Sequence, residues 1–531
     1  MTAAPAVPSS PSGPRAPRTV ARLSRRHLLL VVLAVGVLAV AVRVGTILRG
    51  GGPHALSVFY DDGVYYAAAS AVAFGRMPYR DFVLLHPPGI VWALLPFAWL
   101  GRVTTDTDGM AAARLAWAVL GGLNAALVVV VTRRFGLVAA LVGGVFYALW
   151  PTAIRVESGP LLEPVGTLAL LAALALLSAR GVADRRGVQV AAGAALGLAL
   201  VVKIWWAVPV VIVLGYVALR WRGRVLLRVV LGAAASASVV CLPFFLNAPG
   251  TMWRMVVLDQ LGRGRVSDTT LERLSQIGGA ETFKLLGRSA TQVAGVGWLV
   301  LVVLTIACAL AAWGSVEGRL FAVLTVSVVA VLLTAPSFFG FYAAFAAPVF
   351  ALVVPAAIHG AAGLVPGPAT YGRPRRRPVV AVAVIAGLSL VVGAVEGSTY
   401  AAGKPFPERR LQPVVAGTRC VTSDSPWGLI ELDALSKDFR DGCRVEIGVS
   451  GVTHDTLHLT RANGSEVARS GNAAWRQYLL TYLRSGGATI IMRAPSGDGI
   501  TGRERTVIES WPVRGRAGGY AVRDPAAAPA G

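Results

Sequence analysis

The chain has 531 residues, 55% of them hydrophobic and only 15% charged, which excludes a soluble domain of ordinary composition. Lys and Arg number 50 against 27 Asp and Glu, a net charge of +23. The excess does not mark a nucleic-acid-binding protein. It falls in short clusters between apolar runs, at residues 15–26, 133–134, 180–186, 220–228 and 373–377, the positive-inside pattern of a polytopic membrane protein.

In chain order, residues 1–26 are rich in Pro, Ser, Ala and Arg and read as a disordered cytoplasmic tail. Residues 27–48 form a first span, retained as an anchor with its N-terminus inside, because the stretch is long and no clear processing site follows it. The apolar run 87–100 falls short of the ~20 residues a span needs and reads as a helix lying on the outer face. With that run set aside, 111–132 is the second span and every basic cluster lands inside. Further spans are expected at 135–152, 162–178, 188–202, 204–219 and 226–246. A longer outer segment, 247–290, carries Arg254, Asp259, Arg263, Arg265 and Asp268, and spans at 291–313, 319–337, 341–360 and 378–395 follow.

The tail changes character. Apolar runs at 444–449 and 488–492 predict strands, and 472–484 has helical spacing with Trp475, Leu479 and Tyr482 on one face. The expected organisation is a cytoplasmic tail (1–26), a helical membrane domain (27–395), an extracytoplasmic α/β domain (396–518) and a disordered end (519–531). Cys241 and Cys308 lie within apolar runs and read as small core residues. Cys420 and Cys443, in the polar region on an oxidising face, are expected to form a disulfide.

Chemistry points first to Asp61-Asp62, because a carboxylate doublet at a membrane face is costly to keep near hydrocarbon. One Asp can cap the helix that begins there. Adjacent helical residues point about 100° apart, so the other is left to face a cavity as a general base toward a hydroxyl. His86 precedes Pro87-Pro88, a pair that starts a helix and forces the residue before it into an extended conformation; a role beside an anionic group is the alternative. Lys203, between two apolar runs, either snorkels to the headgroups or stabilises a departing phosphate. Trp205 and Trp206 read as an interfacial belt. Glu157 and Glu163 flank Pro160 in a loop that also holds Arg155; they are solvated, or orient an acceptor, or bind a divalent cation. No ligand spacing defines a metal site, and there is no phosphate-binding Gly-rich loop, zinc pattern or nucleophile elbow.

Together these residues resemble the GT-C class of membrane glycosyltransferases, in particular the protein mannosyltransferase and lipid A aminoarabinose transferase superfamily. The resemblance rests on Asp61-Asp62, His86-Pro87-Pro88-Gly89 and the run from Gly197-Leu198-Ala199 to Lys203, in that order, with Phe341-Tyr342 and Pro348 similar to the start of a late helix. The loop from Arg155 to Glu163 sits where the class has a second acidic motif. His86 stands where Lys is commoner, and Asp-Asp where Asp-Glu is.

The resemblance covers about residues 27–395. It implies an α-helical polytopic fold of about eleven spans plus two outer-face juxtamembrane helices, followed by the small C-terminal α/β domain. It implies an inverting transferase that takes a sugar from a polyprenyl-phosphate carrier and gives it to a glycan, lipid or protein acceptor on the outer face of the plasma membrane. Asp61 is then the base and Asp62 its orienting partner. His86, Arg155, Glu157, Glu163, Lys203, Arg263, Arg265 and Tyr342 are expected to bind substrate, with a divalent cation left open. Membrane lipids are expected partners and nucleic acid is not. Two other classes compete: a transporter or flippase of a lipid-linked sugar, and a non-catalytic subunit of a cell-envelope assembly. Against the transporter, there is no inverted repeat, and polar residues gather at one face instead of the midplane.

Overall fold

The computed structural model describes residues 25–179, 181–221, 223–265, 270–281, 287–363, 387, 391–495 and 498–525. Residues 1–24 and 526–531 of the expected tails, most of the 378–395 span and the 373–377 basic cluster lie outside the described residues, whereas Tyr520–Arg523, within the stretch expected to be disordered, form a strand paired into the C-terminal sheet. Among the described residues, six helical stretches are long and apolar enough to cross a membrane: Arg25–Arg49, Asp106–Phe135, Gly223–Asn247, Ala290–Ala312, Val316–Thr334 and Gly340–Ala361. Shorter apolar helices are Gly89–Val103, Leu137–Leu149, Leu162–Leu177, Arg186–Leu200 and Ile204–Arg220.

Local chemistry sets the boundaries. The second long helix starts at Asp106, before the expected 111, because Thr105 Oγ1 accepts the Asp108 N–H at 3.1 Å and caps it. The expected span 135–152 is broken: Leu137–Leu149 stops at Trp150, whose backbone is extended before Pro151, and a short helix Pro151–Val156 restarts in a new direction. The outer segment is partly helical, at Pro249–Leu261 and Thr270–Ile277.

Small residues let the helices approach closely. Arg186–Leu200 packs along Gly223–Asn247, and a Cβ on Gly193 or Gly232 would lie 2.0 Å from Val229 O or 2.3 Å from Val190 O. An ion pair is sunk among the helices. Arg43 is fully buried and bonds Glu157 Oε2 through Nε (2.9 Å) and Nη2 (2.7 Å), while Tyr147 and Asn124 donate to Glu157 Oε1 at 2.7 and 2.8 Å. Desolvating two ions is affordable only when their remaining lone pairs and protons are also satisfied, as they largely are here.

The C-terminal region is α/β. Strands β1 (Leu56–Ser57) and β2 (Gly403–Lys404) pair antiparallel and tie the loop after the first helix to the start of this region. Its own sheet combines β3 (Val421–Ser423), β4 (Ala488–Ile490), β5 (Val513–Ala517) and β6 (Tyr520–Arg523) in the order β3-β4-β6-β5, with only β3 and β4 parallel. Asn472 caps the helix Ala473–Arg484, which buries Trp475, Leu479 and Tyr482 as its spacing predicts. A disulfide joins Cys420 to Cys443 with Cα atoms 5.4 Å apart. Residues 444–449 are not a strand, contrary to expectation. Gly448 O instead accepts the Gly451 N–H at 2.7 Å in a turn that lies against Val83.

This region does not hang from a tether. Its apolar residues Trp427, Leu429, Leu435 and Ile490 share one core with Tyr65, Tyr66, Ile90 and Trp117 of the helical part. Polar contacts fasten the seam: Asp106 accepts from Ser436 N (2.9 Å) and Oγ (2.5 Å), and Arg114 donates to Ala402 O (3.0 Å) and Ala55 O (2.7 Å).

Candidate functional site

A cavity of ≈ 370 Å³ opens along this seam. Its floor comes from Asp61 and Tyr65 on the helix Asp61–Ala73, from the extended segment 83–86, and from Arg263 and the 339–342 turn. The C-terminal region supplies the facing wall, including Ser450, His454, Arg469, Arg493 and Asp498.

The acidic doublet divides as adjacent helical positions must. Asp62 is fully buried and bound on three sides: Ser57 Oγ donates to Oδ2 at 2.5 Å, and Gly63 N and Trp427 Nε1 donate to Oδ1 at 2.8 and 2.9 Å. Burial pushes its carboxyl up to about 6 against the pull of those donors. Asp61 is half-buried and lines the cavity. Burial raises its carboxyl also, and the cations Arg263, Lys203 and Arg469 oppose the rise. Neither Asp is the cap expected from sequence, since Tyr60 occupies that position and makes no capping bond. Gly159 closes over Asp62, where a Cβ would sit 2.9 Å from Oδ2. The loop from Arg155 to Glu163 therefore does reach the doublet, through its glycine.

The cationic side is layered. Lys203 Nζ pairs with Glu163 Oε1 at 2.7 Å, both groups buried, and lies 3.5 Å from the centre of the Tyr342 ring and 4.6 Å from that of Trp205. Lys203 thus sits behind Tyr342 and not in the cavity wall. Arg263 Nη1 reaches the Tyr342 hydroxyl at 3.3 Å, while its buried Nε has no hydrogen-bond partner among the described residues. His86 is buried edge-on against Tyr65, with Nδ1 unpartnered among the described residues. Burial, then Lys203 and Arg263, hold its imidazole well below the usual histidine range, so it is neutral near pH 7.

The structure thus gathers Asp61, His86, Arg263 and Tyr342 at one cavity, with Asp62, Glu163 and Lys203 directly behind it. Others lie apart. Glu157 is committed to Arg43 within the helices, Arg155 to Glu281 and Glu396, and the exposed Arg265 pairs through its backbone with the 464–466 turn. Sequence reasoning missed Tyr60, His454, Arg469 and Arg493. Arg493 follows β4 by a few residues, a position that carries no signal until the wall it joins is known. Among the described residues no group of three or more His, Cys, Asp or Glu could hold a metal ion.

No protein-family model and no curated protein matches the chain. Solved structures do. ArnT from Cupriavidus metallidurans bound to undecaprenyl phosphate superposes with a TM-score of 0.58 at 15% identity, covering 96% of this chain and 100% of that one. Its apo form gives 0.58 at 16%, covering 94% and 97%. The archaeal oligosaccharyltransferase AglB from Archaeoglobus fulgidus, in complex with an inhibitory peptide and a dolichol-phosphate, gives 0.52 at 13%, covering 88% and 69%. ArnT, a lipid A aminoarabinose transferase, and AglB are both GT-C enzymes. From its helical framework to its C-terminal region, the chain has the fold of the GT-C membrane glycosyltransferases.

Proposed function

We propose that the protein transfers a sugar from a polyprenyl-phosphate carrier to an acceptor hydroxyl, with inversion, and that Asp61 is the general base. The observation that carries this reading is the division of labour in the doublet. Asp62 is immobilised by three hydrogen bonds, whereas Asp61 faces a cavity with the cationic Arg263 in the same wall. Asp61 takes the proton of the acceptor hydroxyl, and the oxygen attacks the anomeric carbon. The bond from that carbon to the phosphate oxygen breaks, and the polyprenyl phosphate leaves with one more negative charge. Arg263, whose Nε has no partner among the described residues, stabilises that charge where it develops. Tyr342 holds Arg263, and Lys203 with Glu163 holds Tyr342.

The cavity faces outward from the plasma membrane, and the N-terminus is cytoplasmic. The helix Asp106–Thr132 supports this orientation: its first residue joins the C-terminal region, whose other residues wall the cavity, and its far end leads into Arg133-Arg134. On that orientation the C-terminal region is extracytoplasmic. The test is purified full-length protein given polyprenyl-phosphate sugars, together with the lipid-linked sugars of cells lacking the gene. Accumulation of one such donor in those cells, and its consumption by the wild type but not by Asp61→Asn, is the expected result. A deletion strain with an unchanged donor pool would argue against the reading.

A further inference from the structure

The catalytic reading uses the floor of the cavity and leaves its opposite wall without a task. That wall holds two arginines. Arg493 lies over the Tyr60 ring at 3.7 Å from its centre, one residue from Asp61. Its Nη1 donates to the Asp498 carbonyl at 2.9 Å, and no carboxylate pairs with its guanidinium among the described residues. Arg469 is pinned to Ser450 O, Thr453 Oγ1 (3.2 Å) and His454 Nε2 (3.2 Å), and it meets the exposed carboxylate of Asp498. The buried Tyr60 and Ser450 hydroxyls meet no partner of ordinary hydrogen-bond geometry there.

A guanidinium stacked on an aromatic face keeps its in-plane N–H groups for a planar or tetrahedral anion. The floor already has Arg263 for the departing phosphate, so one leaving group does not account for both sets of cations. Asp61 lines the same cavity as Arg263, Arg469 and Arg493, and Arg263 and Arg469 both act on its carboxyl. In an inverting displacement the acceptor oxygen attacks from the side opposite the departing phosphate, so the groups that hold the acceptor are distinct from those that hold the phosphate.

We propose that Arg493 and Arg469 form a second anion site, which holds a phosphate or carboxylate carried by the acceptor next to the hydroxyl that attacks. The assignment to an acceptor rests on the transferase reading; the anion site itself does not. A neutral acceptor would gain nothing from two fixed cations. An acceptor with an anionic group beside its hydroxyl would be aligned by the Arg493 fork, and would draw Asp498 away from Arg469 as it binds.

The test uses full-length protein in detergent and inorganic phosphate as the probe, with acetate as a second arm to separate phosphate from carboxylate, followed by ligand NMR. With the protein saturated by undecaprenyl phosphate, the small anion should still bind. Arg493→Gln should weaken that binding at least tenfold, and Arg493→Lys should restore part of it. Retained undecaprenyl phosphate binding by Arg493→Gln serves as the check on folding. If undecaprenyl phosphate displaces all of the small anion, or if Arg493→Gln binds it like the wild type, the second site does not exist. If undecaprenyl phosphate itself does not bind, the donor reading fails and the acceptor assignment with it, whereas dependence of anion binding on Arg493 is read separately.

Discussion

Trp427 Nε1 donates to Asp62 Oδ1 at 2.9 Å, so an indole from the C-terminal region directly holds the residue beside the cavity carboxylate. The contact needs Gly63, because a Cβ there would lie 2.6 Å from Trp427 Cδ1. The C-terminal region is therefore part of the site in two ways, as a wall and as a brace.

The doublet should separate under near-isosteric substitution. Asp61→Asn is expected to lower the transfer rate by ~10²–10⁴-fold, the usual range for a general base, with donor binding retained. Asp62→Asn should also lower the rate, and in addition cost stability of about 1.5–3 kcal/mol, because three donors lose a charged acceptor. Thermal unfolding of the two purified variants, measured beside their rates, distinguishes a base from a brace; equal and normal rates in both would refute the mechanism.

The rate should fall on the acid side of neutrality. Burial raises the Asp61 carboxyl above its ordinary 3.8, and a protonated carboxyl cannot accept the hydroxyl proton, so activity is lost as pH drops through that raised value. Asp62, pushed up to about 6, contributes a second acid limb that Asp62→Asn should remove. The measurement is a pH profile of kcat/KM; a flat profile down to pH 4 would contradict the assignment.

Lys203→Ala should be damaging through Glu163. Removing one partner of a buried pair leaves the other charge uncompensated, at a cost of about 3–5 kcal/mol. The double variant Lys203→Ala/Glu163→Ala should recover part of that loss in a double-mutant cycle. Activity should stay low in the double variant, because Tyr342 and Arg263 lose their support. Full activity in the double variant would return Lys203 to simple snorkelling.

Gly159→Ala should lower activity without removing any chemical group. The new Cβ would meet Asp62 Oδ2 at 2.9 Å, and three hydrogen bonds prevent that carboxylate from yielding. A variant that folds, binds donor and transfers slowly is expected, and a wild-type rate would show that Asp62 can move freely.

The disulfide should stabilise the C-terminal region by roughly 3 kcal/mol, from the loop entropy removed in its unfolded state. Its closure spans a sequence separation of 23. Paired Cys420→Ser and Cys443→Ser substitutions should lower the unfolding temperature and, through Trp427, the activity; a native temperature in the double variant would remove the disulfide from the account.

The sequence by itself determined the class of fold, the doublet, the His86-Pro87 turn and the helix 473–484. Each is written in local terms, as apolar length, charge placement, proline geometry or a helical period. Which Asp faces the cavity was decided only in three dimensions, because it depends on Ser57, Gly159 and Trp427 converging on Asp62 from distant parts of the chain. The same holds for Lys203, whose partner lies 40 residues away, and for Glu157, whose charge is absorbed by Arg43 at a separation of 114. Arg469 and Arg493 were invisible for a related reason. In sequence they are two basic residues among fifty, and they become part of a site only because an apolar seam between Trp427 and Tyr65 presses the C-terminal region onto the helices.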